Sequence, residues 1–350
     1  RIIGQSMQSS ILGNLRIVMD EGSQGSELRN FRINTNSLNY SIHIVGGGYS
    51  VFDHLYFYHN YDGICTYTAT REVIGNVVSN CISEKSGRIG FTADFGAINT
   101  LFINNTAIDC KQGFHIEGAK RVRLINSTTI GCGRNSSLSS GEQDGYAGPL
   151  RTYAVEDLLV DGFTNISPAG TCYWQHGGGG AGDLTNSRNL EFKNLKGLGV
   201  LILDDERAKT ENVSFNNIDT FGIYNPGGKQ SLIGNINIDN VTGDGDLSIG
   251  PAKNITISNS EVGRLGLTAD NLFLKDVRAS TIYWHTINAK NIVSTGLLEA
   301  IQTALADSEW YHGFVFNVTN TIRMKIENIR FSGVGYGSHL AFVGLPSAAK

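Results

Sequence analysis

Three stretches carry residue types that could break a glycosidic bond. "LDDER" sets Asp204, Asp205, Glu206 and Arg207 in a row, and "CYWQHGGGGAGD" puts Tyr173, Trp174 and His176 ahead of a glycine run and Asp183. The third, "GRNSSLSSGEQDGYAGPL", holds Glu142, Asp144 and Tyr146. Glycoside hydrolysis needs two carboxylates about 5 to 9.5 Å apart, one protonated as acid and one ionised as base or nucleophile. Flat aromatics with a polar edge suit the apolar faces and hydroxyl rims of sugar rings. The expected catalytic set is Asp204 or Asp205 working with Asp183, Asp144 or Glu117. His176 joins it, because imidazole titrates near neutrality. The expected binding set is Trp174, Tyr173, Tyr146, Tyr153, Arg151, Arg207 and Tyr224. Elimination at a uronate is the competing chemistry, with Tyr153 or His176 as base and Arg151 or Arg207 as neutraliser.

Residues this far apart meet only if the elements between them repeat. A phrase of Asn, apolar, any, apolar, polar, Asn or Asp recurs: "NFRINT" at 30, "TLFINN" at 100, "NLEFKN" at 189, "NVSFNN" at 212, "NINIDN" at 235 and "NITISN" at 254. Alternation of this kind marks a strand with one buried face. The markers Leu190, Val213, Ile236, Ile255 and Leu272 lie 23, 23, 19 and 17 residues apart by subtraction of their numbers. A period near 20 residues implies a solenoid whose turns bury their apolar faces on one another. A second short apolar phrase follows a glycine in each turn, as in "GFTAD" at 90 and "GFHIEG" at 113. Short strands joined at Gly and Asn corners, both tolerant of left-handed backbone, predict a parallel β-helix. Aligning Phe91 to Asp94, Phe114 to Glu117 and Leu201 to Asp204 points Asp94, Glu117 and Asp204 outward along one row.

The period breaks twice in succession. Val122 to Leu158 is 36 residues (158 − 122) and Leu158 to Leu190 is 32 (190 − 158). The extra residues are the loops around Asp144 and Trp174, and adjacent turns sit about 4.8 Å apart, so the two excursions are expected to share one wall.

Composition narrows the rest. Charged residues are 17% of the chain, the net charge is −4, and Lys and Arg are scattered, which gives no footprint for nucleic acid. No apolar run reaches the roughly 18 residues of a membrane span, so membrane insertion is not expected. Cys65, Cys81, Cys110, Cys132 and Cys172 show no metal spacing and read as buried packing residues, and neither metal nor cofactor is expected.

The spacing, the Asn-rich strand exits and the opening "RIIGQSMQSSIL" resemble the pectate-lyase-like superfamily of right-handed parallel β-helices, above all the polysaccharide-degrading tailspikes of bacteriophages. The resemblance covers Arg1 to about Thr295 and implies an all-β, single-stranded solenoid over residues 1–295 that lacks its N-terminal cap. Residues 296–350, opening with "GLLEAIQTALADSEW", are expected to form a short helix and a closing β segment. The implied function is a depolymerase that binds and hydrolyses a bacterial surface polysaccharide, capsule or O-antigen, as a homotrimer on a virion tail or outside the cell. Alternatives on this fold are a polysaccharide lyase or C5-epimerase-like enzyme on uronate polymers, and a non-enzymatic glycan-binding fibre or adhesin. "YDGICTY", "GFTADFG" and "KQGFHIEG" are similar to the repeat of mannuronan C5-epimerases. Cys65, Tyr67 and Gln112 stand where that family has its catalytic Asp and two His, so the framework matches and the catalytic residues do not.

Overall fold

Alternating apolar residues build strands that close only by stacking, and the stacking is parallel throughout. The computed structural model describes residues 1–8, 11–13, 15–35, 40–68, 71–133, 148–166, 174–176, 187–203, 210–224, 233–280, 284–302, 312–333 and 338–344. They fall into two compact units, Arg1–Leu198 and Gly199–Lys350, each a parallel β-helix.

In the N-terminal unit each coil contributes to three stacks of strands. The stack that matters for function contains β1 (Ile42–Ile44), β2 (Asp62–Thr66), β3 (Ile89–Ala93), β4 (Gln112–Glu117), β5 (Gly148–Tyr153) and β6 (Trp174–His176), each paired with the next. Ile64, Phe91, Phe114, Leu150 and Trp174 stand in register across it. Val122, Leu158 and Leu190 are likewise in register, so the 36- and 32-residue intervals are single coils, as expected. Phe91 and Phe114 stack with ring centroids 4.9 Å apart and are fully buried, which locks β3 onto β4.

The corners follow from residue chemistry. Asn80, Asn104 and Asn126 (φ 52°, 55° and 47°) and Gly162 (φ 71°) occupy one corner on successive coils, the left-handed region that Asn and Gly tolerate. Cys65, Cys81, Cys110 and Cys132 are buried free thiols. Cys110 and Cys132 share one coil position, whereas Cys81 stands at the preceding corner, level with Asn105 and Ser127. The thiols of Cys81, Cys110 and Cys132 donate to carbonyls of the neighbouring coil, those of Phe52, Ser83 and Ala107 respectively.

The C-terminal unit is more regular. Val213, Ile236, Ile255, Leu272 and Ile292 are in register, bearing out the markers read from the phrase. Outside them Asn212, Asn235, Asn254, Asn271 and Asn291 form a ladder, each amide donating to the previous one at 2.6 to 2.8 Å. The expected helix does not begin at 296. Gly296–Gln302 belong to the strand Trp284–Gln302, with Leu298 and Ala300 both buried at a period of two. A short apolar run such as "GLLEAIQ" fits helix and strand periods equally, and here pairing with Ile329–Gly333 decides. The remainder of that segment, 303–311, lies outside the described residues. The closing strands His312–Asn317, Arg323–Ile326 and Ile329–Gly333 pair in parallel with Trp284–Gln302, so they add a further coil rather than a separate sheet.

Candidate active site

On β1 to β5 the side chains facing away from the core form a second register: His43, Cys65, Thr92, His115 and Arg151. One step further along each strand, Asp94 follows Ala93, level with Glu117, and Glu117 pairs with Tyr153. The out-in-out alternation of "HIE" places His115 and Glu117 on one face. Gly63, Gly90 and Gly113 let these coils close up: a Cβ on Gly63 would lie 2.4 Å from the Gly90 carbonyl, and one on Gly113 2.5 Å from that of Pro149.

The result is a compact charged group. His115 Nε2 lies 2.7 Å from Glu117 Oε2 and 3.4 Å from Asp94 Oδ1, while its Nδ1 faces Gln112 Oε1 at 3.1 Å. The imidazole is thus held on both nitrogens between the two carboxylates. His115 is 3% exposed and Asp94 8%, and Asp94 Oδ1 makes no hydrogen bond among the described residues. A cleft of about 540 Å³ opens over them, walled by Tyr40, Tyr61, Tyr67 and Phe95, with Arg88 and Lys111 on its lining. Tyr61 and Tyr67 are exposed, and Tyr67 meets Phe95 edge to face with centroids 6.4 Å apart.

Burial drives the two carboxylates apart in acidity. Burial pushes Asp94 up to about 7, helped by the charge of Glu117 and opposed by His115 and Arg88. Glu117 is held below its ordinary range. Its burial works the other way, but the hydrogen bond and charge of His115, with Arg151 and Arg88 behind it, outweigh that cost. At neutral pH the site therefore holds one carboxyl poised to give a proton and one ionised. Burial, reinforced by Asp94 and Asp62, raises the Cys65 thiol well above its usual range, so it is no nucleophile here.

Asp94, His115 and Glu117 each offer a donor atom, all within 4.8 Å of one another, a size that could also hold a cation.

Of the residues picked out from sequence, Glu117 is in this group, and Asp94 stands beside it in the predicted outward row. Arg151 is in register with His115 and is 2% exposed, so it acts on Glu117 through charge from within the wall and offers no surface to a ligand. Tyr153, next to Glu117, is 4% exposed and likewise backs the site instead of forming a stacking platform. The outward position of both is covered, which alternation alone does not reveal. Trp174 and His176, in the strand next to β5, pair with Leu150 and Thr152, and the rest of the second loop, 177–186, lies outside the described residues. Tyr224 ends a strand of the C-terminal unit, level with Ser248. Tyr146, Tyr173, Asp144, Asp183, Asp204, Asp205 and Arg207 lie outside the described residues. Sequence reasoning passed over His115, Arg88, Asp62, Tyr40 and Tyr61. The available signal was the polar residue before each glycine corner, in "YDG", "GRIG" and "KQG". Gln112 and Tyr67, aligned with epimerase catalytic positions, do lie at this site, one beneath His115 and the other on the cleft wall.

No protein-family model matches the chain, and no curated protein matches it in sequence. Among solved structures, the catalytic unit of a thermostable GH87 α-1,3-glucanase from Streptomyces thermodiastaticus strain HF3-3 is similar at 9% identity and a TM-score of 0.23, over 96% of this chain and 70% of that one. A likeness of that size carries no residue and no chemistry across.

Proposed function

We propose that the chain is a glycoside hydrolase that cleaves within a polysaccharide. The observation that carries this reading is the pair Asp94 and Glu117, two carboxyls with opposed acidities held by one histidine at the floor of an aromatic cleft. Carboxyls of retaining glycosidases stand about 5 to 5.5 Å apart, against 6.5 Å or more in inverting ones. Oxygens of Asp94 and Glu117 within 4.8 Å of each other fit the retaining arrangement.

In the first step Asp94 gives its proton to the glycosidic oxygen while a Glu117 oxygen attacks the anomeric carbon. The carbon–oxygen bond to the leaving sugar breaks, and a glycosyl ester on Glu117 forms. Asp94, now ionised, then takes a proton from water as that water displaces Glu117. His115 ties Glu117 Oε2, which leaves Oε1 as the attacking atom, and its contact with both acids keeps them in place between the two steps. Tyr61 and Tyr67 offer the exposed faces against which sugar rings can stack. The sequence resemblance to bacteriophage tailspikes supports a bacterial surface polysaccharide as the polymer and a trimeric, extracellular or virion-borne assembly.

Incubation of the protein with capsule and O-antigen preparations tests the reading. The expected result is new reducing ends without the ultraviolet absorbance of an unsaturated uronate, and retention of anomeric configuration by NMR. That absorbance would assign a lyase, and retention of glycan without cleavage would assign a binding fibre; either result removes the hydrolase.

A further inference from the structure

We propose that Arg88 is the specificity residue of the cleft and that it selects a carboxylated sugar, a uronate or similar acidic unit, next to the bond being cut. The inference rests on the glycosidase reading of this cleft and names its substrate class.

Arg88 is built as a presented fork. Its Nε donates to Asp62 Oδ1 at 2.9 Å and its Nη2 pairs with Asp62 Oδ2. Asp62 is fully buried and is fixed in turn by the backbone N–H of Ile89 at 3.1 Å. The guanidinium lies 4.9 Å from the ring centre of Tyr61 and 5.7 Å from that of Tyr40, so its plane is held from the sides as well as from beneath. Two of its three nitrogens are thereby engaged, and Nη1 makes no hydrogen bond among the described residues. The side chain remains 30% exposed and lines the cleft.

A pair made only to rivet two coils would not need its outer edge open to the cleft. An immobilised guanidinium loses little entropy on accepting a second oxyanion, and its planar geometry matches a carboxylate far better than a hydroxyl. Asp62 cancels the net charge of Arg88, so recognition is by directed hydrogen bonds. Arg88 is near enough for its charge to act on both Asp94 and Glu117. Arg88 lines the same cleft as Asp94 and Glu117, so the acidic unit would sit beside the reacting bond.

The test uses the whole chain and four uronate polymers of different linkage, pectate, alginate, hyaluronan and heparosan, each beside its carboxyl-reduced form, in which uronates have become neutral sugars. Affinity electrophoresis should show tighter binding to the acidic member of at least one pair, by about tenfold, the order expected for one charge-assisted fork. Arg88→Lys keeps a charge over Asp62 but loses the fork and should bring the two members of that pair within about twofold of each other. The double change Arg88→Gln with Asp62→Asn does the same without leaving a buried charge unpaired, and circular dichroism melting confirms that both variants fold. Asp94→Asn, which slows cleavage, should keep the full preference. No preference in any pair, or a preference that survives both Arg88 variants, overturns the proposal. Cleavage of a neutral glycan without preference removes this inference alone, whereas a preference without any cleavage removes the hydrolase and leaves the acidic subsite standing.

Discussion

The two units follow one folding rule and use their outward faces differently. In the C-terminal unit the strand exteriors carry a ladder of amides from Asn212 to Asn291 and ion pairs that remain partly in water, such as Lys290 with Asp270. In the N-terminal unit the outward register of β2 to β5 is buried at Cys65, Thr92, His115 and Arg151, and the ends of these strands bury Asp62, Asp94 and Gln112 beside it. Burying ionisable groups costs stability unless each is paired, and paired groups in a dry site acquire unusual acidities. One outward face is thus an exposed ladder of amides and the other a buried cluster of paired ionisable groups, on the same backbone geometry.

The largest expected effect breaks that comparison most directly. Asp94→Asn and Glu117→Gln should each lower kcat by about 10²- to 10⁴-fold, the usual range for removing an acid–base group. Glu261→Gln, on the C-terminal unit, should change kcat by less than about twofold, since its exposed pairing with Arg278 is of the surface kind. The double variant Asp204→Asn, Asp205→Asn sharpens the same point. Steady-state cleavage within a few fold of the wild type supports the Asp94–Glu117 pair, and loss of cleavage with an active Asp94→Asn moves the chemistry elsewhere.

Activity against pH comes next. Glu117, held below the ordinary carboxylate value of 4.5, sets the acid limb, and Asp94, raised to about 7, sets the alkaline one. The profile of kcat/KM should be a bell confined between those limits, with the alkaline limb missing from the residual activity of Asp94→Asn. Sodium azide should rescue that variant by supplying a nucleophile that needs no base. EDTA should leave activity unchanged; a loss restored by zinc would make the Asp94, His115 and Glu117 cluster a metal centre.

Stability changes are smaller. Asp94 binds its proton more tightly folded than unfolded, so between the ordinary aspartate value of 3.8 and about 7 the folded state loses stability as the pH rises, and the loss is complete above that window. Asp94→Asn should accordingly melt higher than the wild type at pH 8, by up to a few kcal/mol, and the gain should vanish near pH 4. Smallest is the ladder. Asn254→Ala removes hydrogen bonds to Asn235 and from Asn271 in exposed surroundings and should cost about 1 kcal/mol, read as a slight fall in melting temperature with activity intact.

The parallel coil and its register were legible in the sequence down to single residues. Val122, Leu158 and Leu190, or Val213, Ile236 and Ile255, align by counting alone, because each buried position recurs once per coil and a slip of one residue would turn its side chain outward. The same alternation placed Asp94 and Glu117 in one outward row. It did not reveal which outward positions are covered. Tyr153 and Arg151 read as surface residues and are walls, whereas His115 and Arg88 read as ordinary polar residues and hold the centre of the site. Alternation records which side of a strand a residue faces, a local property carried by two neighbours in the chain. Acidity, burial and pairing depend on groups brought from coils 23 to 26 residues away, as Asp62 is to Arg88 (88 − 62 = 26) and Asp94 to Glu117 (117 − 94 = 23), and only the stacked structure puts those charges within reach of one another.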